Sequence, residues 1–167
     1  MRLSALHKPL FAWLVALLPL FVGAAPAPAP EVVRWSDIRL VDGTVLKAKD
    51  LAGKTVVVEF WASWCPFCAK QNPHIEKLHR AHGGKGQGLV VLTFTLDKTD
   101  EAALGYLKSH GYTFAAARSN KQIEGWFGGR RTLPEVYVVD PKGRIVFREA
   151  GEMFEEDIAA LARFAAK

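Results

Sequence analysis

The chain has 167 residues, with 22 Lys and Arg against 17 Asp and Glu, for a formal charge of +5. Leaving out Arg2 and Lys8 near the N-terminus lowers that +5 to +3. So mild a balance, with no basic stripe interleaved with aromatics, gives nucleic-acid binding no support, and two cysteines exclude a larger intramolecular disulfide framework.

Arg2 and Lys8 flank the apolar stretch Leu10–Val22, which ends in the small residues Gly23, Ala24 and Ala25. This is the pattern of a secretory signal peptide over residues 1–24, cut after Ala24. No charge occurs from Pro9 through Pro30, so an uncleaved helix anchored in the membrane is the competing reading, which Pro19 weakens. No cysteine near the cut offers a lipid-attachment site. Residues 25–32, opening Ala-Pro-Ala-Pro-Ala-Pro, predict an extended linker. Residues 33–167 suit one compact domain with an ordinary core and show no internal repeat.

Within that domain Val33–Trp35 and Ile38–Val41 read as strands, with Asp42-Gly43 as a hairpin turn before Thr44–Leu46. Thr55–Trp61 is apolar almost throughout, the composition of a central strand covered on both faces. Pro66 suits the first position of a helix running to about Ala81, with Ile75, Leu78 and Ala81 on its buried side. Pro73 is expected to kink that helix or shift its register. Gly83–Gly88 is glycine-rich, but it precedes a strand and lacks the Gly-Lys-Ser/Thr ending of a phosphate loop, so it reads as a turn. Leu89–Leu96 is a second buried strand. Thr99–His110 predicts a helix, with Asp100 and Glu101 in its first turn and Gly111 as its stop. Tyr112–Ala116 predicts a short strand and Lys121–Phe127 a short helix. Val136–Val139, a turn over Asp140–Gly143 and Arg144–Arg148 form a hairpin, and Glu155–Ala166 a closing amphipathic helix. The alternation predicts an α/β fold, a mixed central sheet flanked by helices.

Both cysteines stand in Trp64-Cys65-Pro66-Phe67-Cys68, where the Thr55–Trp61 strand gives way to the helix. At a helix N-terminus the free backbone N–H groups and the helix dipole favour a thiolate on Cys65. Cys68 follows about one turn later, near enough to close a small ring. Reversible dithiol–disulfide exchange is the leading reading, ahead of a static disulfide. Half of a zinc site would need two further ligands that no second Cys or His pair supplies. In an exported protein such a pair must be driven oxidised or kept reduced by a dedicated partner.

Three features now stand together: Glu59-Phe60-Trp61-Ala62-Ser63-Trp64-Cys65-Pro66-Phe67-Cys68, Pro73 five residues later, and Leu133-Pro134 before the last hairpin. With the early hairpin, the extra helix and strand over about 99–116, and the export signal, the chain resembles the TlpA/ResA/CcmG group of periplasmic thiol–disulfide oxidoreductases. That group belongs to the thioredoxin superfamily. The resemblance covers nearly everything from residue 33 onward. It implies a thioredoxin fold with an N-terminal β-hairpin and a central αβ insertion. It also implies a cis peptide at Leu133-Pro134 beside the cysteines, presenting backbone to a substrate segment. The partners implied are periplasmic cysteine-containing proteins, such as apocytochrome c or copper-site proteins, and a membrane electron donor of the DsbD or CcdA kind. The membrane is a partner only if the leader is uncleaved. No organic cofactor or metal is needed, since the electrons reside in the sulfurs.

Cys65 is the expected nucleophile and the more exposed sulfur, and Cys68 the resolving one. A carboxyl in the middle of Val56–Trp61 should be buried and protonated near neutrality, so Glu59 is placed to take the Cys68 proton through a water. The alternative is a Glu turned outward to a lysine. Pro134 joins these as a catalytic candidate, and Trp64, Pro66, Phe67 and Leu133 are the substrate-binding candidates. Trp61 and Trp64 are expected under and beside the site. The related proteins often carry a Glu three residues past the second cysteine; Gln71 stands there, so acid assistance from that side is absent. Glu59 with Cys65-Pro66-Phe67-Cys68 also looks like the motif of DsbA-type oxidases. Phe67 cannot donate a hydrogen bond to a Cys65 thiolate, however, and the chain lacks room for the helical domain those oxidases insert. Arg130 and Arg131 either raise the potential near Cys65 or form a solvated turn. His74, His79, His82 and His110 make no metal site by spacing and read as surface residues. A Cu(I) carrier remains a third reading beside reductase and oxidase, since a reduced pair is soft enough for Cu(I), but no Met-rich or further Cys/His cluster supports it.

Overall fold

The computed structural model describes residues 32–83, 88–129 and 132–165. The expected leader, the linker as far as residue 31, and Arg130 and Arg131 lie outside these. Among the described residues no helix is long and apolar enough to cross a membrane.

A two-residue ladder comes first, β1 (Ile38–Arg39) against β2 (Val45–Leu46), with Asp42 accepting from Thr44 inside the turn. The short α1 (Ala48–Leu51) follows. Then come β3 (Thr55–Trp61), α2 (Pro66–His82), β4 (Leu89–Thr95), α3 (Asp100–His110) and β5 (Ala115–Arg118). After these lie α4 (Lys121–Trp126), β6 (Glu135–Val139), β7 (Ile145–Ala150) and α5 (Glu155–Ala160). The five-stranded sheet has the order β5-β4-β3-β6-β7, parallel across β5, β4 and β3 and antiparallel from β3 to β6 to β7. This is a thioredoxin-like fold with an N-terminal hairpin, and α3 with β5 forms the expected central insertion.

β3 explains the architecture. All seven of its residues are buried, and alternate side chains enter separate cores, as the two-residue period of a strand requires. Val56, Val58 and Phe60 pack with Leu92, Phe94, Phe127 and Tyr137 beneath α4 and the N-terminal hairpin. Val57 and Trp61 pack with Ile75 and Leu78 of α2, Leu107 of α3 and Ile158 of α5. Each fully buried aliphatic side chain contributes about 1.5–3 kcal/mol, so a strand feeding both cores ranks high in the stability of the whole.

Several boundaries differ from expectation. Val33–Trp35 is not a strand: Val32 makes one bridge to Arg144, the Val33 N–H donates to Gly143 O at 2.7 Å, and no ladder follows. The strand expected over Ile38–Val41 shrinks to two residues because the Val41 N–H is taken by Ala116 O at 2.8 Å. Helix α2 runs unbroken through Pro73, whose ring sits on the exposed side. The strand expected at Tyr112–Ala116 begins at Ala115 instead, since pairing with β4 starts there. The closing helix ends at Ala160 and tightens into a 3₁₀ turn over Leu161–Phe164, with Ala166 outside the described residues.

Glu76 explains why the strand starts late. This buried carboxylate accepts from Thr113 N–H at 2.7 Å, Thr113 Oγ1 at 2.7 Å, Phe114 N–H at 3.2 Å and Arg80 Nε at 2.6 Å. Burial pushes the group up, but these donors together outweigh it and hold its pKa below the usual range. The residues before β5 are therefore tied to α2 rather than to the sheet. Glu76→Ala leaves Thr113 and Phe114 N–H groups unpaired and should lower stability by about 3 kcal/mol at pH 7. Because folding depresses this pKa, the contribution is full above the unfolded carboxylate range and disappears as pH falls through the folded value. Urea unfolding of the two proteins should therefore differ most at pH 7, the gap narrowing as pH falls through the folded value. Equal midpoints at pH 7 would refute the role given to Glu76.

Candidate active site

β3 and β4 run parallel with Trp61 beside Thr95, so the corner leaving β3 lies against the end of β4. Asp97 uses this proximity: it accepts from Ser63 Oγ at 2.7 Å, Ser63 N–H at 3.2 Å and Thr95 Oγ1 at 2.7 Å. The Cys65 N–H then closes a turn onto Ala62 O at 3.1 Å. Cys65 is the N-cap of α2, Pro66 its first residue, and Cys65 Sγ accepts the Cys68 N–H at 3.2 Å. The sulfurs are joined in a disulfide with Cα atoms 5.3 Å apart. The first turn of α2 holds no acidic residue, leaving the positive end of the helix dipole unopposed at Cys65.

Exposure divides the motif. Cys68 is sealed and Cys65 keeps 5% of its surface, whereas Trp64 is 66% and Phe67 52% exposed. Pro66 is exposed as well. Lys70 Nζ lies 5.4 Å above the Phe67 ring and 3.6 Å from Glu152. Trp61, by contrast, is buried: its indole N–H donates to Thr93 Oγ1 at 3.0 Å and its ring lies 5.2 Å from that of Tyr106. The Leu133–Pro134 peptide is cis. Pro134 is buried, and Leu133 packs on the cluster that contains both cysteines.

Glu59 faces α2 and is fully enclosed, so the outward-turned alternative does not apply. Its Oε1 accepts from Gln71 Nε2 at 2.7 Å. Gln71 Oε1 in turn accepts the Met153 N–H at 2.7 Å. Asn72 completes the enclosure. Turned one way its amide nitrogen lies 3.5 Å from the Tyr106 hydroxyl; turned the other way it donates to Cys68 O at 3.1 Å and Glu59 Oε2 at 3.3 Å. Burial pushes the Glu59 carboxyl up to about 8, against the smaller opposing effect of the Gln71 hydrogen bond. The group is a neutral acid at pH 7.

Gln71, Asn72 and Asp97 were not legible as site residues. A helical wheel begun at Cys68 would have found the first two, because residues three, four and seven positions on share its face. Asp97 carries no such local signal; the parallel register of β3 and β4 alone brings it to Ser63. His79 is not a surface residue: it is half-buried, and burial holds its imidazole below the usual range. His110 stacks on Tyr112, with ring centroids 5.3 Å apart, and His74 lies 3.7 Å from Glu155. Among the described residues no three His, Cys, Asp or Glu side chains are grouped to hold a metal.

Comparison with known proteins places this geometry in context. The family model described as Redoxin matches residues 24–162. The thiol-disulfide oxidoreductase ResA of Bacillus thuringiensis (strain Al Hakam) is 30% identical over 119 residues, spanning 71% of this chain and 67% of the relative. The thiol:disulfide interchange protein DsbE homolog of Paracoccus denitrificans (strain Pd 1222) is 36% identical over 104 residues, 60% of this chain and 53% of the relative. A thiol:disulfide interchange protein of the thioredoxin family from Chlorobium tepidum TLS superposes with a TM-score of 0.74 at 20% identity, covering 84% of this chain and 99% of that one. StoA from Bacillus subtilis gives 0.65 at 21% identity, covering 77% and 97%. At such identities the two structures speak to the fold alone.

The Glu59 acid makes stability depend on pH in a defined direction. An unfolded chain releases this proton near 4.5, whereas the folded chain holds it until about 8. The folded state thus binds more protons in that window, and stability falls as pH rises through it, by up to about 1.4 kcal/mol per pH unit, before levelling off. In Glu59→Gln this component vanishes. Denaturant unfolding of the oxidised proteins at pH 5 and pH 9 should show the variant gaining on the wild type at the higher pH. A constant difference between them would mean that Glu59 is not a neutral acid in the fold.

Proposed function

The chain belongs to the Redoxin family, as a thiol–disulfide oxidoreductase of the ResA/DsbE kind, and on that footing we propose that it reduces disulfides of proteins outside the cytoplasm. Cys65 is the attacking sulfur. In the dithiol form its thiolate attacks a substrate disulfide, forming a Cys65–substrate bond and releasing the first substrate thiolate. Glu59, neutral in the disulfide form, has passed its proton to Cys68 when the pair was reduced, and its carboxylate takes that proton back as Cys68 attacks Cys65 Sγ. The Cys65–Cys68 disulfide closes, the second substrate thiolate leaves, and the substrate has gained two electrons. A donor dithiol reverses these steps: one donor thiolate attacks Cys65, Cys68 leaves as a thiolate that takes the proton from Glu59, and the second donor thiolate then displaces Cys65 and leaves as the donor disulfide. Exposed Trp64, Pro66 and Phe67, with Leu133 and the cis peptide it makes to buried Pro134, are assigned to receive the substrate segment.

The observation that carries the reductive direction is the set of donors to Cys65 Sγ. The Cys68 N–H at 3.2 Å is the hydrogen bond it accepts among the described residues, and Phe67 offers none. A dithiol is made oxidising when its reduced form is specially stabilised; here the thiolate has the helix terminus and one amide. Apocytochrome c and copper-site proteins fit as substrates, and a membrane protein of the DsbD or CcdA kind as the electron source. Residues 1–24 serve as signal peptide or anchor and residues 25–32 as linker, carrying the domain of residues 33–167 into the periplasm or an equivalent space.

Equilibration in glutathione buffers tests the direction. The pair should show a potential towards about −270 mV, and a value near about −120 mV would reverse the assigned electron flow. Trapping tests the order of the sulfurs. Cys68→Ser should accumulate mixed disulfides through Cys65 on exposure to oxidised substrate proteins, while Cys65→Ser accumulates none. Capture through Cys68 in the second variant would invert the assignment.

A further inference from the structure

Three consecutive residues between β7 and α5 reach three separate parts of the site. The Gly151 N–H donates to Pro134 O at 2.9 Å. The Glu152 carboxylate lies 3.6 Å from Lys70 Nζ, the cation that sits over the Phe67 ring. The Met153 N–H donates to Gln71 Oε1 at 2.7 Å. One short strap thereby joins the entry to β6, an exposed ring of the motif and a buried amide. Gly151 lets the chain turn there. Its φ of +107° is a backbone conformation that L side chains rarely adopt, although a Cβ at this position would meet no atom within 4 Å.

Gln71 carries the strap inward. A backbone N–H can only donate, so the Gln71 carbonyl must face Met153, and its nitrogen is left for Glu59 Oε1 at 2.7 Å. The strap, not the state of the carboxyl, sets which end of the amide Glu59 meets. Gln71 is fully buried, so bulk water competes for neither end. We propose that Gly151–Met153, acting through Gln71, is a positioning element that fixes the donor on Glu59 from the Pro134 end of β6, so that displacement of the strap is felt at the acid. The inference rests on the proton role given to Glu59 in the proposed cycle. It puts the residues assigned to receive substrate and the group that holds the proton on one path of hydrogen bonds and backbone, from Pro134 through Gly151–Met153 and Gln71 to Glu59.

The effect on the acid has a defined sign. A donor at Oε1 stabilises the carboxylate more than the neutral acid, so it opposes the upward push of burial. Loosening the strap weakens that donor and makes Glu59 hold its proton more tightly. The other groups around Glu59 lie off this path. Tyr106 of α3 and Tyr112 beyond it feel its charge, and burial pushes both above the usual phenol range. Thr93 of β4 and Val136 of β6 are its neighbours in the sheet, and neither titrates. Asp97, beyond the end of β4, is held by Ser63 and Thr95. On α2, Asn72 does not titrate and Cys68 does so when the pair is reduced. Lys70 and Glu152, on the outer side of the strap, offset each other as an ion pair.

The test follows the Glu59 carboxyl carbon by NMR from about pH 5 to 10 in the oxidised full-length protein. Gln71→Met, close in size without the amide, should raise the midpoint by about one pH unit, a tenfold change in proton affinity. Gly151→Ala, at the other end of the path, should raise that affinity at least about twofold. In the double variant Gly151→Ala should add nothing, because the path is already cut. An unmoved midpoint in Gly151→Ala overturns the proposal, and so does a shift of the same size in the absence of Gln71. In the wild type the backbone amide signals of Gly151 and Met153 should shift at the Glu59 midpoint and lose that response in Glu59→Gln. Signals indifferent to pH in the wild type also overturn it, so the proposal stays testable even if a variant fails to fold. If the midpoints move as expected but the pH profile of thiol–disulfide exchange stays where it was, the coupling stands and the catalytic reading of Glu59 fails.

Discussion

A carboxyl group on a strand covered on both faces can reach neither bulk water nor a lysine on the surface, and Glu59 on β3 is held in that position. The same close packing that lets β3 feed two cores removes solvent from position 59. What surrounds the group follows from this constraint. Gln71 and Asn72 lie on the buried side of α2, and their amides are the partners the carboxyl retains. Gln71 in turn satisfies the Met153 N–H just before α5. One buried acid therefore organises contacts from β3, α2 and the segment leading into α5.

Glu76, also on α2, shows what decides the state of such a group. Both carboxyls are buried, and burial acts upward on both. Glu76 accepts from an arginine, a hydroxyl and two backbone N–H groups, and it stays ionised. Glu59 has one short amide contact and, among the described residues, no cation, and it keeps its proton. The number and charge of the donors, not depth alone, separate a structural anion from a proton store.

The sequence made some of this legible and hid the rest. The apolar run Thr55–Trp61 announced a central strand, the Cys-x-x-Cys at its end announced the chemistry, and Gly111 marked the end of α3 through its left-handed backbone. These are local signals. The late start of β5, the loss of a strand at Val33–Trp35 and the tie from Asp97 to Ser63 depend on contacts between residues distant in the chain. Gln71 illustrates the difference. In the sequence it reads as a missing acid; in the fold it is the donor that faces Glu59 on β3.

In the proposed cycle the path of the electrons is separate from that of the proton. Cys65 borders the exposed Trp64 and Phe67, so sulfur exchange takes place at the surface. Cys68 is sealed, and its carbonyl lies beside Asn72, whose amide also reaches Glu59. Water cannot readily reach a thiolate formed on Cys68, so in the proposed cycle a proton must already be stored within the protein. In that cycle Glu59, a buried acid with a raised pKa, is the store, at the expense of stability above the ordinary carboxylate range. The fold accepts this because the store has to be dry to hold its proton, and a dry carboxyl is a destabilising one.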